Sequence, residues 1–247
     1  MNTLTSPRPG PAPAHEAQAN GLTATSGRGR LVNDAPMRMF HWLFALSFVG
    51  AYISADSEHW RLVHVVLGYT VAGLLAFRVL YGLVGPRPAR LSTMWRKVSG
   101  TGAWLKTLQA AWAPDGHWQS VAWRQALILL MAVSLMALLA VVLPLTLTGY
   151  GSFHEWGGDL GGEWGTELLE ELHEFFGNTA LSLVGVHLAL LAGQSFWRQK
   201  NLALPMITGR LEGRGPDLIA NNRVWLAVLL LLGVLAYIAW EVYSASL

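Results

Sequence analysis

The chain has 247 residues, 53% of them hydrophobic and 13% charged, with 17 Lys and Arg against 15 Asp and Glu for a formal net charge of +2. A soluble domain carries about 25% charged residues, so the deficit points to a membrane. Cysteine is absent, which excludes disulfides, thiolate metal sites, iron–sulfur ligation and covalent cofactor attachment through C-x-x-C-H.

Residues 1–33 are rich in Pro, Ala, Ser, Thr and Gly and hold no apolar run. They read as a disordered cytoplasmic tail rather than a targeting sequence, because no signal-peptide core is present. Five apolar segments follow, at Met37–Ser54, Leu62–Val84, Trp123–Thr148, His173–Phe196 and Val224–Val242. Each is near the ~20 residues that cross a hydrocarbon core. Pro144 and Gly149 predict a kink or an exit near the end of the third. The connector 87–118 is too polar to span. It spaces Trp95, Trp104 and Trp112 among Arg96, Lys97 and Lys106, as a helix lying in the headgroup plane does. Twelve tryptophans in all suit interfacial belts.

The expected fold is therefore an all-α integral membrane protein: a four-helix transmembrane bundle over 34–200, a cytoplasmic linker at 201–221 and a fifth transmembrane helix within 222–247. Of the 17 Lys and Arg, only Arg61 falls in the first or third connection. By the positive-inside rule this predicts an inner membrane protein with a cytoplasmic N-terminus and a periplasmic C-terminus. The outer connections are acidic, carrying Asp56, Glu58, Glu155, Asp159, Glu163, Glu167, Glu170, Glu171 and Glu174.

Four histidines sit in or at the mouths of these segments: His41, His64, His173 and His187. An ionisable side chain at membrane depth is costly and is a functional hypothesis by default. Segment one runs outward, so His41 lies near its inner end; segment two runs inward, so His64 lies near its outer end. His173 and His187 are fourteen residues apart, about 21 Å of helix and within about 40° of whole turns. They share one face at two depths. Depth thus pairs His64 with His173 and His41 with His187, the arrangement that two stacked b-type haems require. Each iron would be held by two imidazoles, leaving no open position and suiting electron transfer. A lone membrane histidine is more often a packing or proton-relay residue; four at matched depths and on shared faces point to haem.

Arg78 lies fourteen residues after His64, on the same face at the inner depth, where a guanidinium is a candidate partner for a haem propionate. Arg38 and Arg61, each one turn before a histidine, are further candidates, with helix-end anchoring as the plain alternative. Gly50, Gly68, Gly73, Gly177 and Gly185 could admit a flat macrocycle or simply allow close helix packing. His59 and His154 fall in outer connections, and His15 and His117 in polar stretches; none carries a signal of its own.

The run Phe40-His41-Trp42, the run Trp60-Arg61-Leu62-Val63-His64-Val65-Val66-Leu67-Gly68-Tyr69 and the pair Phe77-Arg78 resemble prokaryotic cytochrome b561. So does His173 followed by His187. The stretch Pro205-Met206-Ile207-Thr208-Gly209 is similar to the tail of hydrogenase-type cytochrome b subunits. The resemblance covers roughly residues 35–210. It implies a four-helix bundle with two b haems exchanging electrons with membrane quinone, His41 pairing with His187 and His64 with His173. The expected function is transmembrane electron transfer between quinone and a periplasmic redox partner such as a soluble cytochrome c, which the acidic outer face could steer. Alternatives are the cytochrome b anchor of a hydrogenase or dehydrogenase, a superoxide oxidase, or, in a different class, a proton or ion transporter using the histidines. Membrane lipid is an expected neighbour, and no nucleic-acid partner is expected.

Overall fold

The computed structural model of the chain describes residues 29–100, 102, 120–213 and 215–247. The expected tail up to residue 28 lies outside the described residues, as do Trp104, Lys106 and Trp112 of the connector.

The long helices are α1 (Ala35–Ser54), α2 (Arg61–Val84), α4 (Ser120–Phe153), α6 (Glu163–Arg198) and α8 (Val224–Ser244), with shorter helices α3 (Leu91–Ser99), α5 (Trp156–Gly161) and α7 (Leu204–Thr208) between them. Four stretches, Glu58–Val84, Ala126–Phe153, Glu163–Arg198 and Val224–Ser244, are long and apolar enough to cross a membrane. α1 has the length, 20 residues, but not the apolarity, because Arg38, His41, Ser47 and Ser54 dilute it. Asp34 starts α1 as an N-cap: its side chain accepts a hydrogen bond from the Met37 N–H at 3.4 Å, and Pro36 pre-sets the first turn. At the other end of α2, Gly85 leaves the helix in extended conformation ahead of Pro86.

Helices α1, α2, α4 and α6 share one core of Phe48, Val71, Leu75, Val142, Leu145 and Ala180, with Phe44, Leu138, Phe176 and Val184 packed around it. The layer has a register. Phe48 is seven residues after His41, Val71 seven after His64, and Ala180 midway between His173 and His187. Two turns, about 10 Å, therefore separate this apolar layer from histidines on either side. α8 stands outside the core and packs along α1, with a smaller contact to α2.

Three sequence expectations need correction. α4 continues as one helix past Pro144 and Gly149 to Phe153, with no exit there. A proline removes one internal hydrogen bond, whereas leaving the helix at membrane depth would expose many backbone groups. α6 begins at Glu163, ten residues before His173; Glu163, Glu167, Glu170 and Glu171 thus ride on a helix rather than a loop. Third, the boundaries of tail and linker are not bare chain. Arg30–Leu31 pairs antiparallel with Arg210–Leu211 as β1 and β2, and Asp217 accepts from the Leu31 N–H at 2.6 Å. The Gly209 carbonyl accepts from Val32 and Asn33. Gly209 is required there: its φ is +79°, and a Cβ would sit 2.6 Å from the Asn33 oxygen.

One end of the bundle, called the near end below, therefore gathers the start of α1, the end of α2, the segment 203–223 and the start of α8. Asp34 is its hub, fully buried. The Tyr81 hydroxyl donates to Asp34 Oδ2, and Arg223 Nη1 reaches Asp34 Oδ2 and the Tyr81 oxygen, each at 3.3 Å. Among the described residues this is the one ion pair. Hydrogen bonding to Tyr81, with Asp34 beside it, holds the Arg223 pKa above its ordinary value.

Candidate functional site

His64 and His173 meet at the far end of the bundle. Their rings stand 6.0 Å apart, centre to centre, at 87°. Two imidazoles binding one metal from opposite sides, with nitrogen–metal bonds of ~2.0 Å, place their ring centres about 6 Å apart. Each ring is oriented by a backbone carbonyl: His64 Nδ1 lies 2.8 Å from the Ala51 oxygen and His173 Nδ1 lies 3.1 Å from the Leu145 oxygen. A carbonyl only accepts, so both Nδ1 atoms carry a proton, and in the neutral ring Nε2 then holds the lone pair. That is the state in which histidine binds a metal, with the second nitrogen fixing tautomer and ring angle. Ala51 lies in the last turn of α1, and its carbonyl also accepts from the Ser54 hydroxyl at 3.1 Å.

Two residues that sequence reasoning missed shape this site. Leu145 supplies the carbonyl, and Gly149, one turn later on α4, supplies clearance: a Cβ there would sit 2.7 Å from His173 Cε1 and 2.9 Å from Nδ1. Sequence reasoning used Gly149 only as a helix-exit signal; its four-residue spacing from Leu145 carried the other reading. Gly149→Val is expected to displace the His173 ring and abolish or distort metal-cofactor binding at the far end alone, as read by the visible spectrum of the purified variant.

The near end holds the other pair. His41 on α1 and His187 on α6 lie within electrostatic reach of one another, and both Nδ1 atoms are buried without a hydrogen-bond partner. Buried ring nitrogens are nearly always satisfied, so these two point to a partner that the chain does not itself supply. Among the described residues there is no cluster of three or more His, Asp or Glu that could hold a metal ion. The histidines come in pairs, which suits a cofactor that brings its own equatorial ligands.

The three arginines separate. Arg78 is buried, and its guanidinium donates to the Ala89 carbonyl at 3.0 Å and to Met94 Sδ at 3.3 Å. It ties α2 to α3 and has no histidine among its partners. The connector that covers this end of α2 supplies both of these partners, which counting turns from His64 does not reveal. Arg78→Gln is therefore expected to lower thermal stability by about 1–3 kcal/mol through unpaired buried groups, while cofactor content stays at the parent level. Arg61 is exposed. Arg38 donates to the Ile207 carbonyl at 2.7 Å, yet its Nε is buried without a partner. It is the one candidate of the three with a buried donor left to give.

Of the glycines, Gly68, Gly73 and Gly185 face open space, whereas Gly50 packs against Leu67 and Gly177 approaches Leu145. Asp56, Glu58, Glu155, Asp159, Glu163, Glu167, Glu170, Glu171 and Glu174 are all exposed at the far end, forming an acidic rim around the His64–His173 site. His154 joins that end too, bonded through Nε2 to the Tyr69 hydroxyl at 3.1 Å.

The family model described as prokaryotic cytochrome b561 matches residues 32–209. No curated protein and no solved structure gives a significant match.

Proposed function

We propose a function from one premise: the chain belongs to the prokaryotic cytochrome b561 family. Membership carries the coarse activity, transmembrane electron transfer by b-type haem in a multi-pass membrane protein. The finer reading is two haem b groups, one between His64 and His173 and one between His41 and His187, passing electrons between membrane quinone and a periplasmic redox protein. The observation that carries it is the far pair: rings at a bis-imidazole separation, each with Nδ1 on a carbonyl and Nε2 turned to act as ligand.

When bound, haem b supplies reversible one-electron transfer without an open coordination position. The chain does the rest. Four helices hold the two histidine pairs on either side of the layer of Phe48, Val71 and Ala180, which excludes water between them. The Ala51 and Leu145 carbonyls orient both far imidazoles. Arg38 Nε supplies a charged donor for a propionate one turn from His41. α1 serves as a further spanning helix in this reading: Ser47 and Ser54 are buried, and Arg38 donates to Ile207 and Asn222 at the near end.

The basic near end is cytoplasmic and the acidic far end periplasmic in this reading. An acidic rim attracts a basic soluble cytochrome c and repels superoxide over about a Debye length, ~8 Å at physiological ionic strength. It therefore favours electron carriage over superoxide oxidation. Proteoliposomes test the reading: reduction of external cytochrome c by a quinol pool is expected, falling steeply as salt rises. Salt-independent reduction would remove the steering role of the rim, and no reduction at all would remove the periplasmic partner.

A further inference from the structure

Arg78 is a buried charge without a counter-ion. The residue is 5% exposed, and its guanidinium donates to two neutral acceptors, the Ala89 carbonyl at 3.0 Å and Met94 Sδ at 3.3 Å. Neutral acceptors satisfy donors but leave the charge unbalanced, and an arginine does not shed its proton. Between Glu58 and Glu155 the sequence holds one carboxylate, Asp115, which lies outside the described residues. Among the described residues the one ion pair is Arg223 with Asp34, so no carboxylate there balances Arg78.

The space beside this charge is apolar and opens outward. A cavity of about 200 Å³ lies between α2, α3 and α4, with Arg78 in its wall. Leu75 and Leu139 line it together with Leu91 of α3, while Val79, Ala140 and Leu143 are exposed around it on the outer surface of the bundle. An engineered cavity of about 150 Å³ admits a benzene, so this one admits a stretch of acyl chain, with the rest of a lipid lying outside. The guanidinium reaches Ala89, past the end of α2, so its charge stands at the level of the connector. Gly82 keeps that route clear, since a Cβ there would sit 2.8 Å from Arg78 Nη1. Arg87, Arg90 and Arg96 are exposed on the same connector.

We propose that this groove holds one anionic phospholipid from the leaflet at the near end, its phosphate on Arg78 and one acyl chain along Val79 and Leu143. The phosphate supplies the missing anion through a charge-assisted hydrogen bond, and the neighbouring arginines favour a lipid with net negative charge. Inorganic phosphate carries the charge but offers nothing to the apolar walls. A zwitterionic lipid fills the walls but cancels its own charge. The bound lipid fastens α3 against α2 and α4. The proposal needs the chain in a membrane and is independent of either histidine pair.

The test uses the full chain as purified in neutral detergent, given equimolar phosphatidylglycerol and phosphatidylcholine with identical acyl chains and read by native mass spectrometry. One phosphatidylglycerol per chain is expected to be retained, preferred over phosphatidylcholine about tenfold or more, as one charged hydrogen bond predicts. Arg78→Gln removes the charge, and Ala140→Phe fills the groove from α4 while leaving the arginine in place; each should abolish the preference. Arg96→Gln, on the exposed face of α3, should keep it. Circular dichroism checks that each variant is folded, and Ala140→Phe decides alone if Arg78→Gln is not. Equal retention of the two lipids by the parent, or a preference that survives in a folded Arg78→Gln or Ala140→Phe, overturns the proposal. Loss in Arg96→Gln as great as in Arg78→Gln overturns it in favour of a diffuse basic surface. Thermal stabilisation by inorganic phosphate equal to that by phosphatidylglycerol overturns it in favour of a free-anion site.

Discussion

If the chain holds the two haems proposed, replacing His64 or His173 with alanine is expected to leave one per chain, with the near-end haem keeping its spectrum and potential. The reasoning is geometric. Each far-end imidazole is held by its own carbonyl, Ala51 for His64 and Leu145 for His173, so each is a rigid ligand and neither can be replaced by a neighbour. No third His, Asp or Glu joins either pair among the described residues. The apolar layer through Ala180 insulates the near pair from the change. His41→Ala and His187→Ala should do the reverse. Haem quantification by pyridine haemochrome, with a potentiometric titration to say which haem remains, checks both halves. If a single substitution removed both haems from folded protein, the pairing would fail.

Asp34→Ala should be the most destabilising single change at the near end. It strips the N-cap of α1, leaves the buried Tyr81 hydroxyl without its acceptor and leaves Arg223 without its counter-ion. A lost cap costs about 1 kcal/mol, and a broken, largely buried charge pair costs about 3–5. Arg223 is partly exposed, so the lower part of that range applies. Because the cluster joins α1, α2 and the start of α8, the damage should fall on the attachment of α8. Thermal unfolding in detergent is expected to shift down clearly, and a protease should reach residues 210–223 sooner than in the parent. Asp34→Asn, which keeps the cap and a hydrogen bond to Tyr81, should lose less. Equal loss in the two variants would mean that the charge, not the hydrogen-bond hub, holds this end together.

The positions of His41, His64, His173 and His187 were legible because membrane depth and helical rotation depend only on residue number. The five long helices were legible for a similar reason, as apolar runs need no partner to be recognised. Helix ends were less so. Pro144 and Gly149 read as a kink or an exit, yet at membrane depth the cost of exposing backbone exceeds the cost of one missing hydrogen bond, and the helix continues. Glu163 to Leu172 looked like a loop because its composition is polar, although acidic residues in a first turn favour a helix there. Long-range contacts were not legible at all. Nothing in the local pattern says that Arg78 turns to Ala89 and Met94, that Asp34 meets Arg223, or that β1 pairs with a segment 180 residues away.

The most direct measurement is the visible spectrum of the purified full chain, oxidised and dithionite-reduced, with haem counted per chain by pyridine haemochrome. Two paired histidine sites predict sharp low-spin b-type bands and close to two haems per chain. A colourless protein, made with haem in ample supply, would contradict the account and turn the four histidines toward proton or ion movement instead.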